Sequence, residues 1–321
     1  MKFIRTMQDL KHLNMANARF ENNTVPDGAF SGMNIVSIEL PSKNITTMGN
    51  VFSGCKHLAA IIWNARVMMA STATAAGITN PNLLLYVDNK VYAPQGVRNV
   101  IANGSASSIV LTDEEGSCYY CPQAFQAQNI SYTHTYTQTT GINECRGWET
   151  IALPFDVQNI KHETIGKIAP FAAKDATARS FWLGELDESG FKKASEIKAY
   201  TPYIISMPNN EVYGDSYILA GKVTFEAVNT TVPVTDIKTT SKNDHVFTPC
   251  FDTVEASSTV YAINTCRKRM RCRQRLSCSG IRNLKPWSCR IRFRKSTGNT
   301  GRPDCSCWST VTAWKGSMYA G

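Results

Sequence analysis

The 321-residue chain is poor in histidine, with five, and poor in charge, with 18% Asp, Glu, Lys and Arg. The histidines, at 12, 57, 134, 162 and 245, are too dispersed for the HExxH pair of a zinc protease. No GxSxG, GxGxxG or GxxxxGKS/T string occurs, so the signatures of a nucleophile elbow, a dinucleotide fold and a phosphate loop are all missing. Long apolar runs are missing too: none approaches the ~20 residues of a membrane-spanning helix. MKFIRTMQDLKHLNM sets Gln8, Asp9, Lys11, His12 and Asn14 where a secretory signal needs an unbroken apolar core.

Acid is scarce in one place. Residues 266–321 carry 14 Lys/Arg against a single acid, Asp304, whereas residues 1–265 hold 20 basic and 24 acidic side chains. The formal net charge of +9 therefore belongs to the tail, and the body is mildly acidic. Cysteine divides the same way, with six of 11 after position 265. The other five, Cys55, Cys118, Cys121, Cys145 and Cys250, are scattered and outline no disulfide framework. Cys118-Tyr119-Tyr120-Cys121 stands without a second CxxC, and with Cys145 it supplies three ligands where structural zinc takes four. No metal or cofactor is expected. Ser53-x-x-Lys56 has the spacing of a nucleophile pair but falls inside a repeated turn without the strings that accompany such a pair. The chain is expected not to be an enzyme.

What the N-terminal stretch, as far as Trp63, does contain is a repeat. Leu10-x-x-Leu13-x-Met15 recurs as Ile35-x-x-Ile38-x-Leu40, offset by 25, and as Leu58-x-x-Ile61-x-Trp63, offset by 23. Ala29-Phe30-Ser31-Gly32 precedes the second unit and Val51-Phe52-Ser53-Gly54-Cys55 the third. In an extended strand the last two apolar positions share one side and the residue between them the other. One unit cannot cover its own apolar side, so stacked copies are required, with Phe30 and Phe52 filling the space between layers and the glycine turning the chain.

The string VPDGAFSGMNIVSIELPSKNITTMGNVFSGCKHLAAIIW resembles the BspA-type, or treponemal, leucine-rich repeat, whose units run approximately AFxGCxxLxxIxLPxxVxxIG. The likeness covers roughly residues 1–65 and departs from the pattern at Met33, at Trp63-Asn64 and after Trp63, where no further unit is visible. It implies an exported, cell-surface adhesion protein of anaerobic bacteria. Its ligand would be a protein or a glycan, including one of host origin, held on the wet side of the strands at Lys11, His12, Asn14, Ser37, Glu39 and Ile62. The first unit starts almost at Met1 with no polar cap, so an upstream portion, signal included, is expected to be missing.

Residues 67–116 form a bridging segment with short strands at Leu83–Val87, Val97–Ile101 and Ser108–Thr112. Residues 117–265 are expected to be an all-β sandwich-like or open-barrel domain, from the alternating or apolar runs Ile130–Tyr136, Thr150–Val157, Tyr203–Met207 and Lys222–Val228. RGWETIALPFDVQNI, YTPYIISMPNN and LAGKVTFEA also resemble the β-rich region that accompanies these repeats in some surface proteins. Trp148 and Trp182 read as core. The fold class is thus mainly β: partial repeats over 1–66, the bridge, the β domain, and a disordered basic tail over 266–321. The tail's six cysteines match no zinc spacing and its arginines follow no helical or alternating period, so a shifted reading frame near Cys266 is the leading account. A genuine basic arm, which would make nucleic acid a partner, and a small folded module are the alternatives.

Overall fold

The computed structural model describes residues 6–7, 9–42, 45–47, 49–140, 147–187, 190–209, 218–242 and 245–252, and the short strand segments 254–255, 264–266, 269–271, 283–284 and 289–293. The protein is mainly β, 40% strand and 6% helix, and contains a β-solenoid of about five turns. The chain forms two compact units, one made of 1–132 and 227–235, the other of 133–226 and 236–321.

In the first unit, five strands stack parallel: β1 (His12–Asn14), β3 (Ser37–Leu40), β5 (Ala60–Trp63), β6 (Leu84–Val87) and β7 (Asn99–Ala102). Leu13, Ile38, Ile61, Leu85 and Val100 occupy one column, so the period seen in the sequence is the register of the sheet. On the opposite side of the coil β2 (Thr24–Val25) pairs parallel with β4 (Thr46–Thr47). Phe30 and Phe52 are both buried and their rings stack at 5.7 Å, as the repeat predicts. Gly32, Gly54 and Gly77 recur at one place in three turns with φ of 72°, 75° and 78°, a left-handed conformation that side chains disfavour. Between the last two of them, α1 (Ala73–Ala76) is capped by the Thr72 hydroxyl, which accepts from Ala75 N, and ends at Gly77.

The stack does not stop after Trp63, contrary to the expectation from the repeat: β6 and β7 lie within the expected bridge and continue it for two turns. They escape the pattern because Asn82 stands where LxxLxL needs a first apolar residue, and because β7, opening at Asn99, follows β6 far sooner than the repeat spacing allows. The expected boundary at 116 also moves, since β10 (Phe125–Tyr136) pairs parallel with β8 (Ser105–Ala106) and β9 (Ile109–Leu111) through residues 126–132. Residues 117–132 thus belong with the solenoid, together with 227–235.

In the second unit the strand order is β17-β12-β13-β14-β16-β11, comprising β11 (Trp148–Ile151), β12 (Asn159–His162), β13 (Gly166–Pro170), β14 (Arg179–Asp187), β16 (Tyr203–Ser206) and β17 (Gly221–Val232). β15 (Gly190–Lys193) pairs with β14. All these pairings are antiparallel except β13 with β14. Trp148 and Trp182 both lie opposite Ser206, on either side of it, so their indoles share one face and meet at 6.1 Å. At 3% and 1% exposure they are core residues. Within the same unit a three-stranded sheet of β18 (Thr240–Lys242), β19 (His245–Pro249) and the strand Cys289–Phe293 packs through Phe247, whose ring meets Phe191 edge-on at 6.2 Å. That layering is sandwich-like.

Within the tail the described segments pair as short strands: 264–266 with 269–271, 254–255 with 283–284, and 245–249 with 289–293. The remainder of the basic tail, where disorder was expected, lies outside the described residues.

Candidate functional site

Alternation along the stacked strands points Leu13, Ile38, Leu40, Ile61, Trp63, Leu85 and Val87 into the coil. The outward column is His12 and Asn14, then Ser37 and Glu39, Ala60 and Ile62, Leu84 and Tyr86, and Asn99 and Ile101. Its chemistry changes along the stack. The first turn is exposed, the second half-buried, and the last three are buried.

On the first two turns the polar side chains form a ladder. His12 Nδ1 and Ser37 Oγ share a hydrogen bond of 2.8 Å. Asn14 Nδ2 donates to one oxygen of Glu39 at 2.9 Å, and Asn64 Nδ2 donates to the other at 3.3 Å. The Glu39 carboxylate is thereby held between two amides. Tyr120, half-buried, lays its ring beside that of His12 at 4.7 Å and forms one wall of the patch. Lys11 is exposed at the lip, its Nζ reaching Asn34 O at 3.4 Å. The structure thus brings five of the six expected ligand residues together.

Ile62 does not belong with them. It is 8% exposed, and Ala59 and Ala60 beside it are fully buried. The cause is residues 117–125, a strap over the outward side of the later turns. Cys118 Sγ lies 3.9 Å from Lys56 O, Tyr86 Oη donates to Gln123 O at 2.8 Å, and Tyr86 meets Phe125 edge-on at 6.2 Å. The sequence carried the signal: Ala59–Trp63 and Leu83–Val87 are continuous apolar runs, as in parallel strands buried on both faces, rather than alternating ones.

Three buried asparagines, missed because Asn80-Pro81-Asn82 looks like an ordinary turn, fix the strap and the segment before it. Asn80 Nδ2 donates to Leu58 O and Cys118 O, and its Oδ1 accepts from Cys118 N at 3.2 Å. Asn82 exchanges two 2.8 Å bonds with the backbone of Thr112, and Asn99 pairs with Val110 N and O. Each amide substitutes for a strand partner that the shorter coil does not supply.

Cys118 and Cys121, the CxxC pair, are both buried. Burial pushes the Cys121 thiol above its ordinary value, against weaker opposing hydrogen bonds from Tyr86 and Tyr119. Cys55, likewise raised by burial, donates to Phe30 O at 3.0 Å. Raised thiols are poor nucleophiles, which disfavours thiolate chemistry at Cys55 and Cys121. Among the described residues no three His, Cys, Asp or Glu side chains converge as a metal site, and no helix is long and apolar enough to cross a membrane.

A concavity of about 350 Å³ opens in the same unit between the end of α1 and the turn preceding β7. Leu83, Ile78 and Val97 line it, as do Arg98 and Glu114, paired at 3.6 Å.

The architecture defines a class, a short β-solenoid strapped along one face. Comparison with protein-family models, with curated proteins and with solved structures gave no match in any of the three.

Proposed function

We propose that the chain is a non-catalytic cell-surface binding protein of the leucine-rich-repeat, BspA-like kind its repeats resemble, and that it holds a protein or glycan ligand on the outward face of its first two solenoid turns. The observation that carries this reading is the contrast along one face: polar and open at His12, Asn14, Ser37 and Glu39, apolar and strapped from Ala60 onward. Solenoids generally bind on such a face because neighbouring turns present side chains in register. The ladder offers a carboxylate, two amides, an imidazole and a phenol ring within two strand spacings, groups that pair with hydroxyls and peptide units alike.

The test is binding of the immobilised full chain to a glycan array and to purified extracellular glycoproteins with and without their glycans. The double change Asn14→Ala and Glu39→Ala is expected to weaken a captured ligand at least about tenfold, roughly 1.4 kcal/mol, and Gln128→Ala, on an exposed strand position away from the ladder, to leave it unchanged. No ligand in either panel, or equal binding by the double variant, would overturn the reading. Binding lost on deglycosylation assigns a glycan; binding that survives it assigns a protein.

A further inference from the structure

The cleft beside Arg98 has a topological cause. Ala60 of β5 pairs with Leu84 of β6, but Leu84 in turn pairs with Asn99 of β7, so the turn from β6 to β7 is much the shorter of the two. The shorter turn keeps pace with the longer one up to a parallel bridge between Thr72 and Gln95, where Ala73 N donates to Gln95 O at 2.8 Å and Gln95 N to Ser71 O at 3.1 Å. It then returns at once through Val97 to β7. The longer turn still has residues 74–83 to run, and the cleft, about 350 Å³, is lined by part of that stretch, Ile78 and Leu83 included, and by Gln95, Gly96, Val97 and Arg98 of the shorter turn.

Its size sits at the low end of small-molecule pockets, ~300–1,000 Å³, which excludes a polymer lying within it. Leu83 is buried and Ile78 and Val97 half-buried, so they give the wall an apolar strip among polar neighbours such as Thr74, Thr79 and Gln95. The lining also carries charge of both signs, Arg98 beside Glu114 and Glu115. Arg98 and Glu114 make only a long contact, 3.6 Å, with side chains 50% and 60% exposed. Such a pair contributes little, ~0–1 kcal/mol, and opens easily. A ligand bearing a carboxylate and an ammonium could replace it with two better-formed contacts while its apolar part covers Leu83 and Val97.

We propose that this cleft binds a small zwitterion of amino-acid to dipeptide size, with its carboxylate on Arg98, its ammonium on Glu114 and Glu115, and an aliphatic side chain on the apolar strip. The site is separate from the ladder and does not depend on its function. Glycyl-leucine is a suitable probe, titrated into the full-length protein and followed by heteronuclear NMR. Saturable shifts confined to the amides of residues 78–80, 82–83 and 95–98 are expected, with Kd at or below about 1 mM. N-acetyl-leucine amide, which lacks both charges, is expected to bind at least about tenfold more weakly, and Arg98→Gln and Glu115→Gln each to cause a similar loss. Both residues are exposed, so the variants should keep the parent spectrum elsewhere. Absence of saturable shifts at about 10 mM probe, equal binding by the capped compound, or unchanged binding by Arg98→Gln would overturn the proposal. Equal shifts with methyl glucoside would overturn it in favour of a sugar site.

Discussion

Gly77 ends α1 at a point where two constraints coincide. Its φ is +78°, and a Cβ built there would lie 2.5 Å from Ser53 N and 2.8 Å from Ser53 Cα, in the backbone of the turn below. Neither clash is with a flexible side-chain end, so the layers themselves must separate. Gly77→Ala is expected to cost roughly 2–4 kcal/mol, measured by chemical denaturation, whereas Gly32→Ala meets nothing within 4 Å and should cost only the ~1 kcal/mol of its left-handed backbone. Equal losses would refute the steric account. In the other unit, Tyr203 makes stability depend on pH. Burial pushes its phenol up to about 12, with Lys198 N donating to the oxygen at 3.1 Å. A folded value above the unfolded one near 10 favours the neutral phenol, so its stabilisation is complete below pH 10 and is lost as pH rises towards about 12. The stability difference between the wild type and Tyr203→Phe should therefore shrink across that window; a difference constant with pH would show that the phenol titrates normally in the fold.

At the scale of elements, the repeat was legible and the strap was not, for a physical reason. A solenoid layer writes its period into the sequence, because each turn buries the same positions against the last; hence Phe30, Ile38, Leu40, Phe52 and Ile61 could be placed from spacing alone. The strap is held by single contacts between distant segments, and those leave no period. Asn82, which ties down the segment just before the strap, is the clearest case of such a contact. Its side chain is fully buried and pairs with both the N–H and the C=O of Thr112 at 2.8 Å. Asn82→Ala removes two hydrogen bonds and leaves the Thr112 backbone without that partner, an expected loss of about 2–4 kcal/mol. Asn82→Asp keeps the acceptor but loses the donor, and should fall between. Thermal or urea denaturation ranks the three; an alanine variant as stable as wild type would mean that water replaces the amide. The ladder was half legible. His12, Asn14, Ser37 and Glu39 share a face by strand alternation, but the bonds that join them follow no spacing rule, and the Tyr120 wall comes from a loop far along the chain.

For the whole chain, linear order and spatial order part company. Residues 227–235 come after 133–226 of the second unit yet belong to the first. No composition shift marks the change, because β17 runs from Gly221 to Val232 as one continuous strand. Within the first unit those residues hold the strap and the start of β10 that follows it: Cys121 N donates to Thr235 Oγ1 at 2.8 Å, Thr235 N donates back to Cys121 O at 2.9 Å, and Gln126 Nε2 donates to Thr231 Oγ1 at 2.7 Å. A fragment ending at Tyr132 would hold the five stacked strands β1, β3, β5, β6 and β7 and the whole strap but none of these three bonds. If each contributes about 1 kcal/mol, the strap opens roughly a hundredfold more often in the fragment than in the full chain. Opening bares Ile62, Leu84 and Tyr86, all buried in the intact protein. Proteolysis then separates the possibilities, because cleavage through a transiently opened segment follows its opening equilibrium. Chymotrypsin, which cuts after Tyr119, Tyr120 and Phe125, should nick the 1–132 fragment well before the full chain, and adding Thr235→Val to the full chain should move its cleavage part of the way towards the fragment's. Equal resistance of fragment and full chain would mean that the asparagine contacts alone hold the strap, and that the return of the chain to the first unit serves some purpose other than closing it.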